Sequence, residues 1–175
     1  MTEQQDTDLL QQLYDATSLR SFTLMTVTAI EQAVDGLINR VFRKDDFMVK
    51  SVVGPLLDSS GPLGDLSIRL KVLFSLGAID IKVYQDIELL TQLKDFLNQS
   101  SNEFQFTDQE IVKKIASLNC ICDMTLSSLE LANPDDDSDR ALYEMQLARQ
   151  QQIIKSALIL AIEQLCQGLA KDSPF

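Results

Sequence analysis

The sequence contains no histidine and no tryptophan, and it has only three cysteines among its 175 residues. Without histidine, the chain cannot form Ser-His or Cys-His nucleophile pairs, an imidazole general base or histidine metal ligands. No GxGxxG or GxxxxGK[ST] loop for phosphate binding occurs either. We therefore expect a protein that is not an enzyme and that has no cofactor and no metal site.

Cysteines and long apolar runs are also scarce. Cys120, Cys122 and Cys166 are unevenly spaced and odd in number, which does not fit a disulfide framework and indicates a reducing compartment. The polar, acidic start of the chain lacks the positive flank and apolar run of a secretory signal. The most apolar run, 153–165, is interrupted by charged residues and is short for a membrane span. We predict a soluble cytoplasmic protein without membrane contact.

Positive charge is in short supply. Lysine and arginine total 15 against 26 aspartates and glutamates, which gives a formal charge of −11 and a pI near 4.3. Proteins that bind nucleic acids gain much of their affinity by neutralising phosphates with these basic side chains. Here the basic residues occur only in pairs such as Arg43-Lys44 and Lys113-Lys114 and form no stripe. This composition argues against direct binding of nucleic acid.

Apolar residues recur at helical spacing almost throughout, and no convincing alternating strand separates the turn signals. We predict an all-α fold, a single-domain multi-helix bundle over residues 1–175, with a long C-terminal helix. The predicted helices cover about 8–16, 18–41, 46–57, 62–76, 80–98, 107 onward and 138–169. The last would be about 48 Å long at 1.5 Å per residue, with its second half in the core and its first half more exposed.

Prolines and capping residues give the predicted boundaries. Gly54-Pro55 predicts a kink or split in the third helix, because proline lacks a backbone donor. Pro62 is placed at a first helical position. Thr107 and Glu110 have the spacing of a capping box, which predicts a helix start at 107 or 108.

The remaining acidic residues suggest no catalytic site. Asp86 and Glu88 are two residues apart, so they face different directions on a helix, and we interpret them as solvated surface acids. Alternating aspartates at 135–139 resemble the start of a calcium loop, but Arg140 stands where that loop requires glycine. An acidic lead-in to the last helix explains this segment better.

A helix-turn-helix would be the expected device of a DNA-reading protein. The nearest candidate is 115–129, where Cys120 stands in place of the turn glycine. Its second helix, 125–131, has no arginine or lysine and carries Glu130. We interpret this segment as a packed helix and not as an operator-reading element.

Charged clusters and Gly-Pro turns between residues 41 and 79 form a pattern that resembles the mannitol operon repressor family of bacterial proteins. The resemblance rests on these strings: FRKDD at 42–46, PLLD at 55–58, GPLGDLS at 61–67, RLK at 69–71, NEF at 102–104, FTD at 106–108, and LY, MQ, R and QQ between 142 and 152. The resemblance covers the chain from about residue 18 to the end of the last helix. It implies a transcriptional repressor of a carbohydrate (mannitol) uptake operon.

Mixed charges beside the two Gly-Pro turns are the candidate partner-binding residues, because opposite charges in a fixed pattern give specificity. They are Arg43, Lys44, Asp45, Asp46, Lys50, Asp65, Arg69 and Lys71. Two plainer interpretations stay open. The run 43–46 is also typical of a solvated turn, and Asp65 with Arg69, four residues apart, is also typical of an intrahelical ion pair.

The sequence therefore favours a regulator that acts through protein–protein contacts, with a transcription factor or a component of the sugar-uptake system as the partner. One alternative is a direct DNA-binding repressor whose basic residues converge only in an oligomer. Another is a sugar-phosphate sensor, which would need a basic-lined pocket. The long last helix would allow a homodimer.

Overall fold

The structure is a computed structural model that describes residues 3–42, 47–58, 60–121 and 140–171. Within these ranges the secondary structure consists of seven α-helices and no strand, so the predicted all-α fold is confirmed. The helices are α1 (Glu3–Asp15), α2 (Leu19–Val41), α3 (Phe47–Leu57), α4 (Leu66–Ser75), α5 (Ile81–Gln99), α6 (Gln109–Ala116) and α7 (Arg140–Lys171).

Helix α2 is central and packs against α1, α4, α5 and α7. It begins at Ser18, whose side chain accepts a hydrogen bond from the Ser21 amide while the Ser21 side chain accepts one from the Ser18 amide. Its buried face includes Phe22, Val34 and Leu37, each at most 1% exposed. Burial of each such side chain stabilises the fold by about 1.5–3 kcal/mol. One connected core cluster includes residues of all seven helices.

Helix α7 has the predicted length and lies two residues later than predicted. Leu158 and Ile162 in its second half are buried, whereas Leu142 and Met145 in its first half are 49% and 64% exposed. By length and composition alone, 142–171 could cross a membrane, and 44% of its most apolar window is buried inside the structure. The core helix of a soluble protein has the same properties.

Helix α3 runs continuously through Pro55, so of the predicted kink or split the split is wrong. Only two residues of the helix follow the proline, so it lies in the last turn, where few helical hydrogen bonds remain to be lost. The Asp58 amide still bonds to the Gly54 carbonyl at 3.1 Å and closes that turn.

Helix α4 begins at Leu66, four residues after the predicted position at Pro62. The start is set by Asp65, whose carboxylate accepts a 2.7 Å hydrogen bond from the Ser67 amide. Pro62 lies in the preceding turn. The side chain that satisfies a free amide thus fixes the boundary, and the proline does not.

The predicted capping box of Thr107 and Glu110 is also wrong, because α6 begins only at Gln109. Asp108 occupies the N-cap position but makes no side-chain bond to its helix. Its carboxylate accepts a 2.8 Å bond from the Gln105 amide and closes the turn before the helix.

Candidate functional site

Arg69 joins three elements around the turn between α3 and α4. Its side chain is 13% exposed. Nε donates to the Leu63 carbonyl at 2.6 Å and Nη2 to the Leu57 carbonyl at 3.1 Å, while Nη1 pairs with the carboxylate of Asp35 on α2. The ion pair is therefore interhelical, whereas the plainer interpretation of the sequence paired Arg69 with Asp65 on its own helix. This guanidinium fixes the turn, and little of it faces solvent.

Asp65, the N-cap of α4, and Lys71 on α4 are exposed. Hydrogen bonds from the Ser67 hydroxyl and amide lower the pKa of Asp65, and the positive charge of Lys71 adds to the effect. Asp65 is therefore ionised at neutral pH. Since residues advance about 100° each around a helix, Lys71 lies about 200° from Arg69, so these two cations do not converge on one face.

The other predicted partner-binding residues lie outside the described part of the structure. Arg43, Lys44, Asp45 and Asp46 precede α3, and only the backbone of Lys50 is described, within that helix. The second helix of the helix-turn-helix candidate, 125–131, also lies outside the described residues. The assignment of the charged edge as a recognition surface stays a prediction.

A groove of about 530 Å³ opens between α2, the turn before α4, and α5. We call it the α4–α5 groove. Its lining includes Glu31, Asp65, Leu70, Glu88, Lys94 and Asp95. Four carboxylates against one ammonium leave three net negative charges, and the ammonium of Lys94 lies 3.4 Å from Asp95. Of the predicted residues, Asp65 alone lines this groove.

A smaller pocket of about 160 Å³ lies between the α1–α2 turn and the loop before α6. It includes Arg20 and Glu103. The guanidinium of Arg20 donates to the carbonyls of Ser100 and Asn102, at 3.0 and 3.4 Å. The basic-lined pocket that a sugar-phosphate sensor requires is thus found neither here nor in the α4–α5 groove.

Asp86 is 2% exposed, so its interpretation as a solvated surface acid is wrong. Its two oxygens accept bonds from the Asn119 amide (2.7 Å), the Asn119 side-chain nitrogen (3.0 Å) and the Cys120 amide (2.8 Å). A signal for burial was present in the sequence, because Asp86 lies four residues before the buried Leu90. With its acceptor sites occupied by chain donors, Asp86 holds the segment after α6 and does not offer a general base.

Cys120 is a free thiol. Cys166 is buried and Cys120 partly so, in keeping with the interpretation of core cysteines, while Cys122 lies outside the described residues. Burial is the main cause that raises the pKa of Cys120 to about 12, and the negative charge of Asp86 and a hydrogen bond to Asp86 add to the effect. A thiol with such a pKa is a poor nucleophile and metal ligand at neutral pH.

Comparison with known proteins decides the family. Residues 5–170 match the family described as Mannitol repressor. The chain is 39% identical over 167 residues to the mannitol operon repressor of Escherichia coli K12, covering 95% of this chain and 83% of that protein. The chain belongs to the mannitol repressor family. The resemblance seen in the sequence and its functional class, a repressor of a mannitol operon, are confirmed.

A solved structure agrees with this assignment. The X-ray structure of the MtlR-HPr complex from Escherichia coli contains a chain that superposes on this one with a TM-score of 0.83 at 39% identity. The superposition covers 94% of this chain and 98% of that chain. The fold of the family, and not only its sequence pattern, is therefore shared.

A second protein type is also related. Fumarase E of Escherichia coli K12 is 31% identical over 115 residues, covering 65% of this chain and 68% of that protein. This match is shorter and weaker than the match to the repressor, which spans nearly the whole chain. The family assignment therefore rests on the repressor match.

Proposed function

We propose that this protein represses a mannitol-type carbohydrate operon by binding a protein partner, and that the partner is HPr. The observation that carries the proposal is the solved MtlR-HPr complex, whose superposed chain is 39% identical and covers nearly the whole of this one. At that similarity the backbone that presents a partner-binding surface is shared, so a shared mode of binding is the simplest expectation.

The electrostatics support action through protein contacts and not through DNA. A charge of −11 repels phosphate. Among the described cations near the predicted edge, Arg69 is turned inward onto Asp35, and the α4–α5 groove carries net negative charge. We expect no operator binding by the purified protein alone.

The same proposal includes the absence of enzymatic activity. The chain has no histidine, and Asp86, the one buried carboxylate among the described residues, is engaged by three donors. We therefore predict no measurable hydration of fumarate by this protein.

We also propose a single cytoplasmic domain in which α7 stays in the core and not in a membrane, because Ile154, Leu158 and Ile162 on its inner face are buried. The predicted homodimer would use the opposite face, where Leu142, Met145, Ile153 and Leu160 are exposed. Light scattering after size exclusion separates a monomer of about 19.6 kDa from a dimer.

Isothermal titration of the purified protein with HPr from the same organism tests the proposed function. We expect saturable binding in the micromolar range, about −8 kcal/mol, as is typical of transient regulatory complexes. The absence of heat and of comigration in size exclusion, at about 100 µM of each protein, would contradict HPr as the partner.

A further inference from the structure

Two aromatic side chains extend the α4–α5 groove toward the turn that joins the two helices. Phe74 lies four residues after Leu70, and Tyr84 four residues before Glu88, so both continue the two walls of the groove. Their ring centroids are 5.4 Å apart. The rings are tilted by 38°, and Phe74 is 41% exposed, so this aromatic pair presents apolar surface to solvent.

The turn itself is apolar and rigid. Ile81, the first residue of α5, is 48% exposed. Gly77 has a positive φ of 71°, which glycine adopts at little cost. Asp80 caps α5 by accepting a 2.9 Å bond from the Val83 amide. Ile81 lies three residues before Tyr84 and so shares its face of α5, which places Phe74, Tyr84 and Ile81 at one end of the groove.

The acidic and apolar parts are joined by Tyr84. Its hydroxyl donates a 2.6 Å hydrogen bond to Glu88 Oε1. This bond raises the pKa of Tyr84 and keeps the phenol protonated as a donor. The hydroxyl therefore connects the aromatic pair to the groove that contains Glu31, Asp65 and Asp95.

We propose that Phe74, Tyr84 and Ile81, together with the α4–α5 groove, form the surface on which the protein partner docks. The partner would present an apolar patch flanked by lysine or arginine side chains. This inference rests on the proposed function and specifies its surface. Protein interfaces combine an apolar, aromatic-rich centre with a charged rim in this way.

Charge decides the class of partner. A second copy of this chain would bring another surface of an overall −11 protein against three net negative charges, and like charges in contact cost several kcal/mol. Nucleic acid is disfavoured for the same reason. A basic protein surface is the occupant that the groove attracts.

Titration with HPr, using substituted forms of the full chain, tests this surface. Phe74→Ala removes the exposed ring and should weaken binding at least about tenfold, as truncation of an interface anchor does. The double variant Glu31→Gln with Asp95→Asn should weaken binding several-fold at about 0.05 M salt and reduce its dependence on salt up to about 0.3 M.

Each variant has a matched control. Leu24→Ala removes an apolar side chain that is 54% exposed on α2 and does not line the groove. Glu103→Gln with Glu110→Gln removes two exposed carboxylates outside the groove, so it has the same net charge as the groove double variant. Both controls should bind as the unmodified protein does, and circular dichroism should show every variant folded.

The outcomes separate the two proposals. If the unmodified protein binds HPr and both groove variants bind equally well, the docking surface is wrong and the proposed function stands. If the controls weaken binding as much as the groove variants, the effect is not local and the docking surface is again wrong. If the unmodified protein does not bind HPr, the proposed partner fails, and the docking proposal fails with it.

Discussion

Replacement of Asp86 by alanine should destabilise the protein more than any change of an exposed carboxylate. Asp86 is 2% exposed and accepts three hydrogen bonds, from the amide and side chain of Asn119 and from the amide of Cys120. Hydrogen bonds to charged groups contribute about 1.5–3 kcal/mol each. Because Asn119 is exposed and water can replace part of its bonding, the lower value applies. For three hydrogen bonds this gives a loss of about 4.5 kcal/mol in the free energy of unfolding.

Urea unfolding followed by circular dichroism measures this loss as a lower midpoint at an unchanged slope. Thermal unfolding should show a decrease of about 9–18 °C for a chain of this size. Asp86→Asn keeps one acceptor oxygen and should lose about half as much. Glu88→Ala on the same helix should lose less than about 1 kcal/mol. A loss below about 1.5 kcal/mol for Asp86→Ala would refute the assignment of Asp86 as the anchor of the segment after α6.

Three further predictions concern stability and reactivity. Arg69→Met should cost about 2–3 kcal/mol in urea unfolding, because three acceptors lose their donor, and Arg69→Lys should not restore it since an ammonium lacks the guanidinium fork. Gly168→Ala should raise the melting temperature, because a Cβ there meets nothing within 4 Å and alanine favours helix by about 1 kcal/mol. Gly77→Ala should lower the melting temperature, because Gly77 has a φ of +71°. With its pKa raised to about 12, Cys120 should react with iodoacetamide at pH 8 at least about tenfold more slowly than a free cysteine, because the small thiolate fraction outweighs the higher nucleophilicity of that thiolate. Peptide mapping by mass spectrometry resolves that rate, and alkylation at the free rate would contradict its burial.

The helical class and the longest helices followed from the sequence because a single physical signal dominates them. The apolar stripe of α2 and the wide apolar arc of α7 each extend over several turns, so local exceptions did not obscure the period. The start of α2 was also predictable, since Ser18 caps it through its own side chain. Periodicity summed over many residues is a stronger signal than any single boundary residue.

Helix boundaries and hydrogen-bond partners were harder to predict, because they depend on which side-chain acceptor bonds to a free backbone amide. Asp65 and not Pro62 fixes the start of α4, and Asp108 bonds to Gln105 instead of capping α6. Neighbouring polar side chains could have made either of these hydrogen bonds, so the sequence alone did not identify the one that forms. Sequence spacing indicates which hydrogen bonds are possible, and tertiary packing determines which of them form.

The candidate site shows the same limit. Spacing suggested that Arg69 is a surface contact or the partner of Asp65, but the chain brings Asp35 to it from 34 residues away. The groove likewise joins Glu31 to Glu88 and Asp95, which no local pattern connects. Family resemblance gave the functional class directly, whereas the surface required the arrangement of α2, α4 and α5.

Fluorescence anisotropy of a labelled duplex carrying the control region of the mannitol operon, titrated with the purified protein, tests the central claim most directly. At about 0.15 M salt and micromolar protein, we predict no difference from a scrambled duplex and no saturable increase in anisotropy. Sequence-preferring binding whose affinity falls steeply with salt would contradict the claim that this repressor acts through protein contacts, because it would require an assembled basic face.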